Sequence, residues 1–223
     1  MNRDELKRAA AMEALAHVGP GTMLGVGTGS TTNFFIEALD SIRDRIVGVV
    51  SSSSSSASLL RDVGIPVVDL NDVEAPLALY VDGADEATRA GQLIKGGGAA
   101  LTSEKIVASA SLRFICIVDE TKLVQRLGAF PLPVEIIPSA RRQVQREIER
   151  MGGRPILRDG VVTDHGNAIL DVRGLDLSAA REVEEELDHI AGVVSNGLFC
   201  RRPADLLIVG GTDGVRTLDP RDS

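Results

Sequence analysis

Residues 22–39 read TMLGVGTGSTTNFFIEAL, and the order of their features decides the fold. Thr22 to Val26 is an apolar run of strand length, Gly27-Thr28-Gly29 is a tight loop, and Thr31 to Leu39 resumes with helical character. A strand that ends in glycines and passes straight into a helix is the building unit of an open α/β sheet. Glycines allow close approach of the backbone to a ligand. The free amides at the helix start, with the hydroxyls of Ser30 and Thr31, suit a phosphate. Two common nucleotide loops do not fit. A dinucleotide site asks for glycine at position 30 and an acidic residue at the end of the second strand, where Ser30 and Ser51 stand. A Walker A loop asks for Gly-Lys before the hydroxyl. Alone, the loop reads either as a small-phosphate site or as a structural turn.

Working outward, the pattern repeats. Asn2 is placed to cap a helix with Glu5 reaching back to it. Leu6, Ala10, Ala14 and Val18 give that helix one apolar stripe, and Gly19-Pro20-Gly21 stops it. Strands are expected at Ile46 to Val50, Val67 to Leu70 and Leu77 to Val81, and a helix at Ala99 to Ala110. Phe114 to Val118 is the continuous apolar run of a central parallel strand. After FPLP (130–133) the rhythm changes. A strand at Val134 to Ile137 leads to a helix capped by Ser139, with Val144, Ile148 and Met151 inward and Gly152 at its end. Short strands are expected near Pro155 to Leu157, Val161 to Thr163 and Ala168 to Val172. A helix capped by Ser178 and a closing strand at Val193 to Phe199 follow. Ala204 to Val209 then reads as another buried parallel strand. The expectation is an α/β fold: a doubly wound, mostly parallel sheet in residues 1–131 and 204–223. A smaller α+β, ferredoxin-like domain in 132–203 is inserted before the last strand. Ser51 to Ser56 reads equally as a flexible linker or as a loop at the sheet's functional edge.

Composition excludes several classes. The 223 residues carry a net charge of −8 and only 3% aromatic residues, which argues against a basic or stacking nucleic-acid surface and against anionic membranes. No apolar run approaches the roughly 18 residues of a membrane span, and MNRDELKR at the start lacks a signal peptide's apolar stretch. His17, His165 and His189 sit in no zinc-ligand frame, and Cys116 and Cys200 lie in apolar strand-like runs as reduced thiols. The expected location is the cytoplasm.

Two further stretches carry chemistry. YVDGADE (80–86) follows an apolar strand at the carboxyl edge, where open α/β sheets place ligands. Asp82, Asp85 and Glu86 crowded together suit sugar hydroxyls, a shared proton or magnesium; taken alone, they equally make a turn with solvated charges. IKGGGAALTSEK (94–105) sets Lys95 and the Gly96, Gly97 and Gly98 amides before a helix that carries Glu104. That is a candidate oxyanion cradle beside a candidate general base. Lys122 follows the Phe114–Val118 strand on the same edge.

Together GVGTGSTT (25–32), YVDGADE (80–86), IKGGGAALTSEK (94–105), FICIVDETK (114–122), FPLPVEIIP (130–138), GGRP (152–155), VVTDHGNAILDV (161–172) and NGLF (196–199) resemble the type A ribose-5-phosphate isomerase family, in order and over nearly the whole chain. The resemblance implies interconversion of ribose 5-phosphate and ribulose 5-phosphate, no metal or organic cofactor, and a homodimer or dimer of dimers. It implies Glu104 as the proton-transferring base, with Lys95 and Gly96 to Gly98 beside the reacting oxygens. Asp82 and Asp85, with Gly83 and Ala84 between them, would bind the sugar and assist ring opening. Thr28, Gly29, Ser30 and Thr31 would form the substrate loop, and Lys7 and Lys122 the basic contacts. Two departures stand out: Ser103 replaces the arginine that many members carry, and Ser51 to Ser56 is unusually uniform. A sugar-phosphate-sensing regulatory domain, an acyl-CoA transferase and a Schiff-base enzyme using Lys95 remain the alternatives to test.

Overall fold

The fold is that of a computed structural model, which describes residues 2–222. The chain opens with α1 (Arg3–Ala14), fixed at its start by the expected reciprocal cap. The Asn2 side chain accepts from the Glu5 amide at 2.9 Å, and the Glu5 carboxylate accepts from the Asn2 amide at 2.9 Å. β1 (Thr22–Val26) leads to α2 (Ser30–Leu39), β2 (Ile46–Ser51), α3 (Ser54–Asp62) and β3 (Leu79–Asp82). A short hairpin, β4 (Glu86–Ala87) and β5 (Leu93–Ile94), precedes α4 (Leu101–Ser109) and β6 (Phe114–Asp119). Then come β7 (Leu132–Ile136), α5 (Arg141–Arg150), β8 (Arg154–Leu157), β9 (Ala168–Arg173), α6 (Ala180–Asp188), β10 (Val193–Asn196) and β11 (Leu198–Phe199). β12 (Leu206–Gly211) and β13 (Gly214–Leu218) close the chain.

The main sheet runs β13-β12-β6-β3-β1-β2, parallel except for the β12–β13 hairpin. Its strands alternate between two cores, as buried parallel strands must. Leu24, Val26, Val81, Ile115 and Ile117 face Ala10, Ala14, Phe35 and Leu39 of the two first helices on one side. Tyr80, Phe114, Cys116 and Val118 face Val107 and Ala108 of α4 on the other. Chain order reverses at β1, with β2 on one flank and β3 on the other. The loops after β1 and β3 therefore open on the crevice where such sheets take ligands.

A smaller antiparallel sheet, β10-β7-β9-β8, is built from the order β-α-β-β-α-β, the ferredoxin-like arrangement expected. It closes its own core around Val134, Ile136, Ile148, Leu170, Val172 and Leu187. The order of elements at the end of the chain differs from expectation: two strands, not one, follow this unit, since Gly211 to Gly214 turns the chain back as β13.

Other differences are local. Val67 to Leu70 makes only an isolated bridge, Val49 to Val67, and Val161 to Thr163 is not a strand but leads into a turn in which the Gly166 amide donates to Thr163 O. Val193 to Phe199 splits at Gly197. Its second half joins β5 in a three-stranded sheet, and the close approach at the split requires glycine, since a Cβ at Gly197 would lie 2.3 Å from the Lys95 carbonyl oxygen. Neither Ser139 nor Ser178 caps its helix; Ala140 and Ala179 stand at those positions. Ser51 to Ser56 is neither linker nor open loop. Ser53 caps α3 by accepting from the Ser56 amide at 3.1 Å.

One buried carboxylate joins the two sheets. Glu135 of β7, fully buried, accepts from Thr102 Oγ1 of α4 at 2.5 Å, Thr163 Oγ1 at 2.8 Å and Asn167 Nδ2 at 2.9 Å. Truncation strands three donors at once, each costing roughly 1–3 kcal/mol when left unmade. Glu135→Ala is expected to lose about 3 kcal/mol or more in urea unfolding. A loss under about 1 kcal/mol would show that water replaces the carboxylate without penalty.

Candidate active site

Asp82 ends β3 with its side chain wholly buried. Its Oδ1 accepts from the Thr28 amide at 2.9 Å, the Gly83 amide at 2.7 Å and Thr32 Oγ1 at 3.3 Å. Its Oδ2 takes the Tyr80 hydroxyl and, at 2.7 Å, Lys95 Nζ. Glycine at 27 is a steric requirement of this arrangement, since a Cβ there would stand 1.8 Å from the Asp82 carboxyl carbon. The three crowded carboxylates of 80–86 thus diverge. Asp85 accepts from the Gly97 amide at 2.8 Å, and Glu86 accepts from the Gly128 and Phe130 amides at 2.7 and 2.6 Å.

Lys95 is 2% exposed. Its Nζ donates to Gly83 O at 2.6 Å, pairs with Asp82, and lies 3.3 Å from Glu104 Oε2. Burial alone would lower its pKa. Asp82, then Glu104, and the hydrogen bond to Asp82 outweigh that and hold it above the usual lysine value. Glu104, in the first turn of α4, is also buried, and its Oε2 finds no partner at hydrogen-bond geometry among the described residues. Burial pushes its carboxyl up to about 8, against the pull of Lys95 and with a further push from Asp82.

These groups open on one cavity of about 230 Å³. Of the residues expected at the site, Lys7, Thr28, Gly29, Ser30, Thr31, Gly83, Ala84, Asp85, Lys95, Gly96, Gly97, Gly98, Glu104 and Lys122 all line it. Asp82 does not: its oxygens accept from Lys95, Tyr80, Thr28, Thr32 and Gly83. At one end α2 begins at Gly29 (φ +115°) without a side-chain cap, leaving first-turn amides free beside Lys7 and Lys122.

Arg3 and Asp119 also line the cavity and escaped the sequence reading. Arg3 precedes Lys7 by one helical turn, a spacing that could have suggested it. Its Nε is held 3.2 Å from Asp119 Oδ2. Burial pushes the Asp119 carboxyl up, but the Thr121 hydroxyl and Arg3 hold it below the usual range. Among the described residues no group of His, Cys, Asp and Glu is placed to hold a metal ion, and no helix is long and apolar enough to cross a membrane.

The family model of ribose 5-phosphate isomerase A (phosphoriboisomerase A) matches residues 48–214. The chain belongs to that family. The ribose 5-phosphate isomerase A of Neisseria gonorrhoeae superposes with a TM-score of 0.96 at 52% identity, covering 98% of each chain. The Methanocaldococcus jannaschii enzyme gives 0.91 at 40% identity, over 96% of this chain and 98% of that one. A D-ribose-5-phosphate isomerase in complex with phospho-erythronic acid gives 0.94 at 39% identity, over 98% and 100%. The fold and the order of the motifs are thus those of the family.

The raised pKa of Glu104 has consequences of known sign. With Glu104 as the proposed base, which acts only when ionised, kcat/KM should fall on the acid side with an apparent pKa near 8, above the second phosphate ionisation of a sugar phosphate at ~6. Between its ordinary value and its native one, the folded state binds the extra proton, so Glu104 supports stability at low pH and ceases to as pH rises. The melting temperature of Glu104→Gln minus that of the parent should therefore grow as pH rises from about 4.5 to about 8 and level off above that. A difference that shrinks over that interval would place the raised pKa elsewhere.

Proposed function

We propose that this chain interconverts ribose 5-phosphate and ribulose 5-phosphate, with Glu104 as the base. The observation that carries the proposal is a buried, partner-poor carboxylate 3.3 Å from a buried lysine, in a cavity whose other end is an uncapped helix start flanked by Lys7 and Lys122. The phosphate occupies the α2 amides with Lys7, Lys122 and Arg3. The open-chain sugar extends toward Lys95 and the glycine loop. Glu104 takes the C2 proton, the C2 electrons form a double bond to C1, and the charge moves onto O1. Lys95 and the Gly98 amide offset that charge. The O2 proton passes to O1, C2–O2 becomes the carbonyl, and Glu104 returns its proton to C1. Asp82 keeps Lys95 charged and in place, and Asp85 positions the glycine loop and the sugar.

Other readings fare worse on the same geometry. A Schiff-base lysine must be neutral to attack, and Lys95 is held in its charged form by two carboxylates. An acyl-CoA transferase reading and a sugar-phosphate-binding regulatory reading give no role to the Asp82–Lys95–Glu104 cluster in proton transfer.

Glu104→Gln should bind substrate but turn over roughly 10²–10⁴ times more slowly, and solvent exchange of the C2 hydrogen should slow with it. A folded variant within a few-fold of the parent at saturating substrate would remove Glu104 from the role of base. Ribose without its phosphate should be a poor substrate in both affinity and turnover, because binding at the remote end helps to hold the reacting end. Equal efficiency on the two sugars would contradict the phosphate assignment. The proposal includes a cytoplasmic homodimer that needs no metal or organic cofactor, so activity should persist after EDTA treatment. Light scattering of the purified protein reports the oligomeric state.

A further inference from the structure

Arg158 follows β8 in the smaller sheet, yet it reaches the glycine loop of the active site. Its Nη1 donates to Gly96 O at 3.0 Å and to Gly97 O at 3.2 Å. Its Nε and Nη2 are held by Asp171 of β9 at 2.8 and 2.5 Å, a two-point lock that fixes the guanidinium plane. Arg158 does not line the active-site cavity. It faces the adjoining hollow, which shares Arg3, Asp85, Gly97 and Lys122 with that cavity. The mechanism above gives it no part.

What it does follows from the geometry of the peptide bond. In a planar trans peptide the carbonyl of one residue and the amide of the next point in opposite directions, and the described residues contain no cis peptide. The Gly96 carbonyl points to Arg158, and in the same peptide the Gly97 amide points the other way, to Asp85 at 2.8 Å. That plane is gripped from both sides. The next plane is gripped from one side only. The Gly97 carbonyl points to Arg158, so the Gly98 amide is turned away from it. Gly98 lines the cavity, and a Cβ on it would sit 3.7 Å from the Thr28 methyl across the cleft. Three successive glycines have no side chains to set these orientations, and their peptide planes turn easily. Gly96 lies at φ +102° and Ala99 at φ +61°, so the loop is not held by ordinary backbone preference either.

We infer that Arg158, locked by Asp171, is a positioning residue that fixes the Gly97–Gly98 peptide so that the Gly98 amide meets the charge developing on the substrate oxygen. The inference rests on the isomerase reading. It assigns the smaller sheet a role in the reaction, since an oriented donor acts without reorganisation at the moment of proton transfer. Lysine cannot replace Arg158, because it lacks the planar fork that engages Asp171 and both carbonyls together.

The test compares the parent with Arg158→Gln, Arg158→Lys and Asp171→Asn, measuring kcat, KM and the affinity for phospho-erythronic acid. The carboxylate of that acid stands in for the enediolate oxygens. Arg158→Gln should lower kcat about 10- to 100-fold, short of the ~10²–10³ seen when an oxyanion donor is deleted outright. KM should stay within about three-fold, because the phosphate is held by another loop, and affinity for the acid should fall with kcat. Arg158→Lys should not restore kcat, and Asp171→Asn should shift it the same way by less. If Arg158→Gln does not fold, the other two variants carry the same comparison. Unchanged kcat in the folded variants, or a loss confined to KM, overturns the assignment. A parent inactive on ribose 5-phosphate overturns the isomerase reading itself. An active parent with indifferent variants overturns only the role of Arg158.

Discussion

A charged amine 2% exposed loses most of its hydration, and the protein must replace it with anions and dipoles at short range. Lys95 imposes that constraint on everything around it. Two carboxylates answer it, but unequally. Asp82 collects two backbone amides, two hydroxyls and the ammonium itself. Glu104 has the ammonium at 3.3 Å and little else. The well-solvated carboxylate serves as the fixed counter-ion. The poorly solvated one gains basicity from its burial and remains free to exchange a proton. Two acids a few ångströms apart are thus given different tasks by their surroundings, which is the general way in which one fold runs acid and base chemistry together.

The architecture serves that cluster. Asp82 belongs to β3, Thr28 to the loop after β1, and Lys95 to the loop after the short hairpin. The first two meet only because the sheet reverses its order at β1. The pairing of β5 with β11 and the bond from the Lys95 amide to Gly197 O at 2.9 Å bring in the third. The absence of a side chain at positions 27 and 197 lets these backbones close on one another. A six-stranded sheet alone would supply a phosphate site. The hairpin and the smaller sheet are what convert it into a site with a buried lysine.

Much of this was legible in the sequence, and the exceptions have physical causes. The parallel strands were readable because burial on both faces leaves continuous apolar runs, as at Phe114 to Val118. The loops were readable because glycines and charges cluster where strands end. Two-residue strands such as Glu86–Ala87 and Leu93–Ile94 carry no periodicity to detect; they pair with each other, and Leu93–Ile94 pairs on its other side with Leu198–Phe199, about a hundred residues away in sequence. Ser51 to Ser56 read equally as a linker, from its polar composition, and as a loop at the sheet's edge, whereas Ser56 is buried in the first turn of α3 and Ser53 is used as a cap. The surroundings of Asp82 were not legible, because sequence shows a carboxylate's neighbours along the chain and not the five donors that surround it in space. Arg158 was invisible for the same reason. Its partners lie some sixty residues back in the chain and thirteen ahead.

The chain also separates two demands that a small substrate makes at once. In the proposed reaction the phosphate is held by the first helix, the start of α2 and the turn after β6, where Arg3, Lys7 and Lys122 form a local positive region on a protein of net charge −8. Such a region must be local, because a globally positive surface would hold many anions and discriminate poorly. The proposed proton transfer uses a different set of elements, α4 and the glycine loop. Both are tied to the smaller sheet, through Thr102 to Glu135 and through the loop carbonyls to Arg158. Binding energy at one end can then restrain the sugar while rigid dipoles at the other meet charge that exists only in transit. A cavity of about 230 Å³ bridges the two sets, and Asp82 of β3 couples them, because it accepts from Thr28 and Thr32 on one side and pairs with Lys95 on the other.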